Sequence, residues 1–199
     1  HYPLRRQRQM CIRDSRSSQY TLKILTKIGY KVALYAMKDK QTKLQLDDFN
    51  QSGFKYYKQT PYRFKHQFIK TKIYTEFAEI LKEFRPDVVL YVGSIANKTS
   101  IDYCIKHKID YAILPLTTEY YCAKNFAGRE EGPCYKCLNG NYFHSIIFRC
   151  LGKRTLILEY VKKILQLILS KDRLLKATYV LGYGVDQLSL LKQYGVNSN

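Results

Sequence analysis

The chain has 199 residues, with 34 Lys and Arg against 16 Asp and Glu, so its formal net charge is +18 at pH 7. It is 46% hydrophobic and 25% charged, a composition typical of core-forming proteins, and it lacks the 18-residue apolar run that a transmembrane helix needs. The basic excess points to an anionic partner, either nucleic acid or a membrane surface.

Residues 5–14 differ from the sequence that follows. They read Arg-Arg-Gln-Arg-Gln-Met-Cys-Ile-Arg-Asp, which resembles the in-frame translation of a transposase sequencing adapter. The alternatives are a natural basic arm or the start of a signal peptide, but no apolar segment follows, which argues against the signal peptide. We therefore interpret 1–15 as adapter-derived and 16–199 as the folded part. Without residues 1–14 the net charge is +15, from 30 basic and 15 acidic side chains.

The rest of the chain alternates between helical and strand-like patterns. Helices are predicted at 17–29, 62–84, 95–108, 155–170 and 186–194. Strands are predicted at 30–36, 54–59, 87–92, 111–116 and 177–181. The strands at 87–92 and 111–116 are almost continuously apolar, as strands covered on both faces are. The alternation predicts an α/β fold with a parallel sheet and right-handed crossovers.

Both ends of the sequence suggest truncation. The first predicted element is a helix, whereas a βαβ fold ordinarily begins with a strand, and the sequence stops just after a helix at Gly195-Val196-Asn197. We therefore expect a piece of a longer protein.

Four cysteines follow the spacing Cys-x11-Cys-x2-Cys-x12-Cys: Cys122, Cys134, Cys137 and Cys150. The Cys-x2-Cys pair can place two thiolates on one ion, and the outer two can complete a tetrahedral structural zinc site. Such a cross-link would lower the entropic cost of ordering the long polar loop at 117–142. Disulfides, a redox Cys-x2-Cys pair and four reduced, packed cysteines are the alternatives. His144 is a spare candidate ligand.

Several segments carry a family resemblance. The most specific is 132–142, Gly-Pro-Cys-Tyr-Lys-Cys-Leu-Asn-Gly-Asn-Tyr, with Cys150 further on; weaker ones are 29–32, 84–90, 113–122 and 177–196. Together they resemble, in order and over about 16–199, the bacterial family-4-type glycosyltransferases with a cysteine loop. The resemblance implies that 16–199 is the N-terminal, acceptor-side domain of a GT-B glycosyltransferase. That domain is a Rossmann-like parallel sheet with helices on both faces and an inserted cysteine-rich loop.

Enzymes of this family transfer a sugar from a nucleotide-sugar to an acceptor, usually with retention, and the acceptors are often surface polysaccharides or lipid-linked glycans. The family's first strand, with its glycine-rich loop, has no counterpart here, so we expect a gap in the middle of the sheet. The C-terminal domain, which binds the nucleotide-sugar donor, is also absent. We therefore expect the fragment to be inactive alone.

The candidate site lies beyond the carboxyl ends of the strands, where open parallel sheets bind their ligands. Gly93, Ser94, Thr118 and Tyr120 are the predicted acceptor-binding residues there. Glu119 is the predicted catalytic residue, orienting or deprotonating an acceptor hydroxyl, although a solvated loop carboxylate is the alternative. Thr118-Glu119 stands where the family has His-Asp, which puts a histidine role in doubt. Separately, Gly182-Tyr183-Gly184 replaces the family's Pro-Ser.

A basic nucleic-acid-binding module with a four-cysteine zinc loop is the alternative function. It accounts for the charge and the cysteines but not for the strand–helix alternation, so no nucleic-acid partner is expected. The expected partner is a glycan or lipid-linked acceptor, and the expected location is cytoplasmic. Helix faces carrying Lys65, Lys70, Lys72, Lys162 and Lys163 would allow peripheral contact with the anionic inner leaflet.

Overall fold

The computed structural model of the protein describes residues 20–37, 55–59, 71–92, 98–116, 118, 120–124, 128–129, 132–152, 156–182 and 185–196. The chain divides into two compact units, His1–Pro86 and Asp87–Asn199, and each contains a parallel sheet. Three predicted site residues, Gly93, Ser94 and Glu119, lie outside the described residues.

The first unit begins, within its described part, with helix α1 over residues 20–27. The helix ends as predicted at Gly29, whose φ of +95° lies in the left-handed region that favours glycine. The amide of Gly29 donates to the carbonyl of Thr26, and that of Tyr30 donates to the carbonyl of Leu25, both at 3.0 Å. This pair of bonds is a Schellman motif, which satisfies carbonyls that the helix leaves unpaired.

Two strands and a helix complete the first unit. Strand β1 (Ala33–Met37) pairs in parallel with β2 (Lys55–Gln59), and helix α2 spans Thr71–Phe84. Tyr35 of β1 packs against Phe77 of α2, with ring centroids 5.8 Å apart. Helix α2 ends where predicted, because a residue that precedes proline is disfavoured in the helical region.

The second unit contains a three-stranded parallel sheet in the order β3-β4-β7. Its strands are β3 (Val89–Val92), β4 (Tyr111–Leu114) and β7 (Tyr179–Val180). Between and after them lie α3 (Lys98–His107), β5 (Gly128–Arg129), β6 (Gly132–Pro133), α4 (Phe143–Ile147), α5 (Ile157–Leu175) and α6 (Val185–Gln193). The α/β class with parallel strands is confirmed.

The central strand β4 is buried along its whole length, as predicted from its apolar sequence. β3 differs from its prediction, because all four of its residues are only partly buried. Among the described strands β3 pairs with β4 alone, so one of its edges is not covered by a neighbour. The apolar run therefore identified the strand correctly but overstated its burial.

Element boundaries differ where the local sequence signal is weak. Helix α5 continues to Leu175, five residues beyond its predicted end at Ser170. The region 117–142, predicted as a loop, contains the short antiparallel pair β5–β6, and the unpredicted helix α4 follows it. Elements of two to five residues are too short to produce a recognisable hydrophobic period.

An ion pair between a buried arginine and a partly exposed aspartate connects α3 to α5. Nε and Nη2 of Arg173 donate to Oδ1 and Oδ2 of Asp102 at 2.7 and 2.9 Å, and the arginine is only 8% exposed. Nη1 of Arg173 is buried without a hydrogen-bond partner in the described part of the chain. The guanidinium therefore depends on a single carboxylate for its charge compensation.

We predict that Asp102→Ala lowers the free energy of unfolding by about 2 kcal/mol, because it leaves a buried guanidinium without its counter-ion. Asp172→Ala is the matched control, since Asp172 pairs with Lys176 at 2.8 Å on the exposed surface. It should cost less than about 0.5 kcal/mol. Urea denaturation followed by circular dichroism measures both. Equal losses would contradict a structural role for the pair of Arg173 and Asp102.

Candidate functional site

The carboxyl ends of β3, β4 and β7 lie along one edge of the sheet because the three strands are parallel. Two hydrogen bonds hold this edge together. The amide of Leu181 donates to the carbonyl of Ile113 at 2.8 Å, and Nε2 of Gln187 donates to the carbonyl of Pro115 at 2.7 Å. The first turns of α6 therefore lie against the end of the central strand.

Gly182 allows the chain to pass close to α6 after β7. A Cβ atom at this position would lie 2.8 Å from Cδ2 of Leu188, so a side chain here would require Leu188 to shift. Glycine therefore allows β7 and α6 to approach without that shift.

Thr118 is a predicted acceptor-binding residue that the structure describes, and its side chain has a polar atom available to a ligand. Its carbonyl accepts hydrogen bonds from the amides of Tyr121 and Cys122, at 3.2 and 2.8 Å, which fixes a turn after β4. Its hydroxyl oxygen is buried and has no partner among the described residues. Buried hydroxyls are rarely left without a hydrogen bond, so this atom is a candidate contact for a ligand.

Tyr120 occupies the core, because it is only 2% exposed. Its carbonyl accepts a hydrogen bond of 2.7 Å from the hydroxyl of Tyr194, which in turn lies 2.6 Å from the hydroxyl of Tyr142. Each phenol carries a single hydrogen, so Tyr142 is the donor of the second bond. We call Tyr120, Tyr142 and Tyr194 the tyrosine clasp. The predicted contact of the Tyr120 side chain with an acceptor stays a prediction.

An aromatic ring and an ammonium group lie against the clasp. The rings of Tyr121 and Tyr194 have centroids 5.7 Å apart, and Nζ of Lys171 lies 4.6 Å from the centroid of Tyr194. Burial raises the pKa of Tyr121 to about 12 and is also the main cause of the raised pKa of Tyr194. Both phenols are therefore neutral at physiological pH. Through its hydroxyl, Tyr194 at the end of α6 holds Tyr120 in the turn after β4 and Tyr142 at the start of α4.

The four spaced cysteines are all described, partly exposed and free of disulfides. Cys137 and Cys150 pack on the same apolar cluster, formed by Ala123, Tyr142 and Leu167. In the described ranges no three His, Cys, Asp or Glu side chains are grouped as a metal ion would require. The zinc site stays a prediction.

Sequence reasoning missed the residues that position this site. Tyr142 and Tyr194 are two of 19 tyrosines, and nothing in their spacing distinguishes them from the others. Gln187 lies on a helix that was predicted, but its bond to Pro115 depends on tertiary packing. The sequence signal that could have identified Tyr194 is its position immediately before Gly195, a helix-ending glycine whose φ is +98°.

Comparison with protein-family models, curated proteins and solved structures finds no match for this chain. The structure itself defines the class, which is an α/β protein with parallel strands. Each helix within the described residues is too short or too polar to cross a bilayer.

We predict that Tyr194→Phe lowers the free energy of unfolding by about 2 kcal/mol, because it removes both hydrogen bonds of the buried clasp. Tyr179→Phe is the control, since Tyr179 is 56% exposed, and it should change stability by less than about 0.5 kcal/mol. Both variants can be measured by urea denaturation. A loss for Tyr194→Phe no larger than that of the control would show that the clasp does not hold the segment.

Proposed function

We propose that the chain is part of the acceptor-side domain of a GT-B glycosyltransferase, which transfers a sugar from a nucleotide-sugar to a glycan or lipid-linked acceptor. The observation that carries the proposal is the pairing of the strands. Those described form two parallel sheets, β1-β2 and β3-β4-β7. Parallel strands connected through helices are the pairing from which a Rossmann-like domain is built.

The parallel pairing within each unit supports a Rossmann-like topology. Helices on both faces of the sheet belong to the same proposal.

The proposed acceptor site is the carboxyl edge of β4. The hydroxyl of Thr118, which has no partner among the described residues, would bind an acceptor oxygen there. Glu119 follows it directly in sequence, and a carboxylate in that position would orient the acceptor hydroxyl or accept its proton. Gly93 and Ser94 follow β3, the neighbouring strand, and complete the proposed acceptor site. The donor would be bound by a second domain, so we expect no nucleotide-sugar turnover by this chain alone.

Glycan binding tests the proposal directly. We predict that the 199-residue chain binds at least one member of a panel of immobilised bacterial polysaccharide and lipid-linked oligosaccharide fragments, and that free glycan displaces it. Thr118→Val should weaken this binding about fivefold, through the loss of one hydrogen bond. Thr178→Val is the matched control, because the Thr178 hydroxyl donates to Asp110 at the amino end of the sheet, away from the proposed site.

Three outcomes would contradict the proposal. They are turnover of a nucleotide-sugar by this chain alone, the absence of glycan binding, and equal effects of the two threonine variants. Retention on immobilised DNA that falls steeply with salt would instead favour the basic nucleic-acid-binding module, which the net charge of +18 and the four cysteines suggest.

We also propose that the four spaced cysteines hold a structural zinc ion in the folded protein. Purified protein should then contain an equimolar amount of zinc by elemental analysis, and Cys134→Ser should lose most of it. Cys104→Ala is the control, because Cys104 is fully buried on α3, outside the spaced group, and it should retain the metal. Protein without zinc in either form would exclude the site.

A further inference from the structure

Helix α5 is apolar on the side that faces away from the core. Its inner side is formed by Tyr160, Leu167 and Leu174, which are buried and lie seven residues apart. On the opposite side five large aliphatic residues have 45% to 69% of their surface exposed: Leu158, Val161, Leu165, Ile168 and Leu169. The first four recur at intervals of three or four residues, and Leu169 follows Leu165 by four, so the five lie on one side of the helix and form what we call the outer stripe.

The outer stripe is unusual for a surface helix. A helix that covers one side of a core ordinarily presents polar residues to solvent, whereas a helix that is apolar all round is ordinarily buried. Leu156 and Ile157, at the start of α5, are also more than 70% exposed, at 71% and 73%. Contiguous exposed apolar surface of this kind marks a site of interaction.

The charges of α5 indicate what the stripe contacts. The helix has four basic and two acidic residues: Lys162, Lys163, Lys171, Arg173, Glu159 and Asp172. Both acidic residues are paired, Glu159 with Lys162 at 2.9 Å and Asp172 with Lys176 at 2.8 Å. Lys162 is well exposed, and a lysine beside an apolar stripe can extend its ammonium group toward anionic headgroups while its stem stays on apolar surface.

We propose that α5 docks on an anionic lipid bilayer, parallel to the membrane plane, with the outer stripe among the acyl chains. Apolar insertion and attraction to anionic headgroups together give such a helix its affinity. A second copy of the chain would also cover apolar side chains, but it would bring together two chains that each carry a net charge of +18. The charge therefore favours the anionic bilayer.

The inference goes beyond the proposed function, because it depends on α5 and not on the carboxyl edge of β4. The two are chemically compatible, since a lipid-linked acceptor would lie on the same surface. They are also separable by experiment. Substitutions in the outer stripe should leave the binding of a water-soluble glycan unchanged, and Thr118→Val should leave vesicle binding unchanged.

Vesicle sedimentation tests the inference with the 199-residue chain. The chain should bind vesicles of equimolar phosphatidylcholine and phosphatidylglycerol, and bind far less to phosphatidylcholine alone. Leu165→Glu should lower binding to the anionic vesicles about tenfold, because it removes a large apolar group from the inserted face. Ile24→Glu is the matched control, with the same change of charge at a 58% exposed isoleucine on α1, and it should bind close to wild type.

A second variant separates insertion from simple attraction. Leu165→Lys adds a positive charge, so it should strengthen binding to anionic vesicles if attraction alone operates and weaken it if the stripe inserts. Stronger binding by Leu165→Lys would overturn the proposal, as would equal losses for Leu165→Glu and Ile24→Glu. Self-association in sedimentation velocity that Leu165→Glu abolishes would assign the stripe to a second copy instead. Circular dichroism verifies that each variant is folded.

Discussion

The complete burial of strand β4 is the constraint on which the second unit depends. A strand buried at every position needs hydrogen-bonding neighbours on both edges, and β3 and β7 provide them in parallel. Parallel pairing requires long connections, which here contain α3 on one side and the segment through α5 on the other. The same pairing directs the carboxyl ends of all three strands to one edge. The position of the candidate site therefore follows from the burial of a single strand.

The tyrosine clasp explains how a long connection can be ordered beside that edge. The described parts of the segment between β4 and α5 contain only short elements, so their backbone is fixed mainly by tertiary contacts. The Tyr194 hydroxyl bonds to both Tyr120 and Tyr142 and so ties two distant points of the segment to the end of α6. The turn that carries Thr118 immediately precedes one of these points. The geometry of the candidate site is consequently set by side chains that do not belong to it.

The sequence predicted the features that local chemistry determines. Gly29 and Gly195 end helices because both adopt a positive φ, and the run from Tyr111 to Leu114 is a strand because its residues are apolar throughout. The clasp was not predictable, because which of the tyrosines meet depends on contacts between residues 52 and 74 positions apart. The partial burial of β3 was missed for a related reason. An apolar run indicates a strand, but the number of its neighbours is a property of the assembled sheet.

In helix α5 the helix itself could be predicted from the local sequence, whereas the side that faces the core could not. Ten of the fourteen positions from Leu156 to Leu169 are apolar, so the sequence predicts the helix but does not identify its inner side. Only the packing of Tyr160 and Leu167 into the core determines which residues face outward. Residues that any composition analysis would assign to the core therefore form an exposed stripe, flanked by lysine. Because core formation does not require these side chains, their apolar character points to contact with a surface outside the described fold.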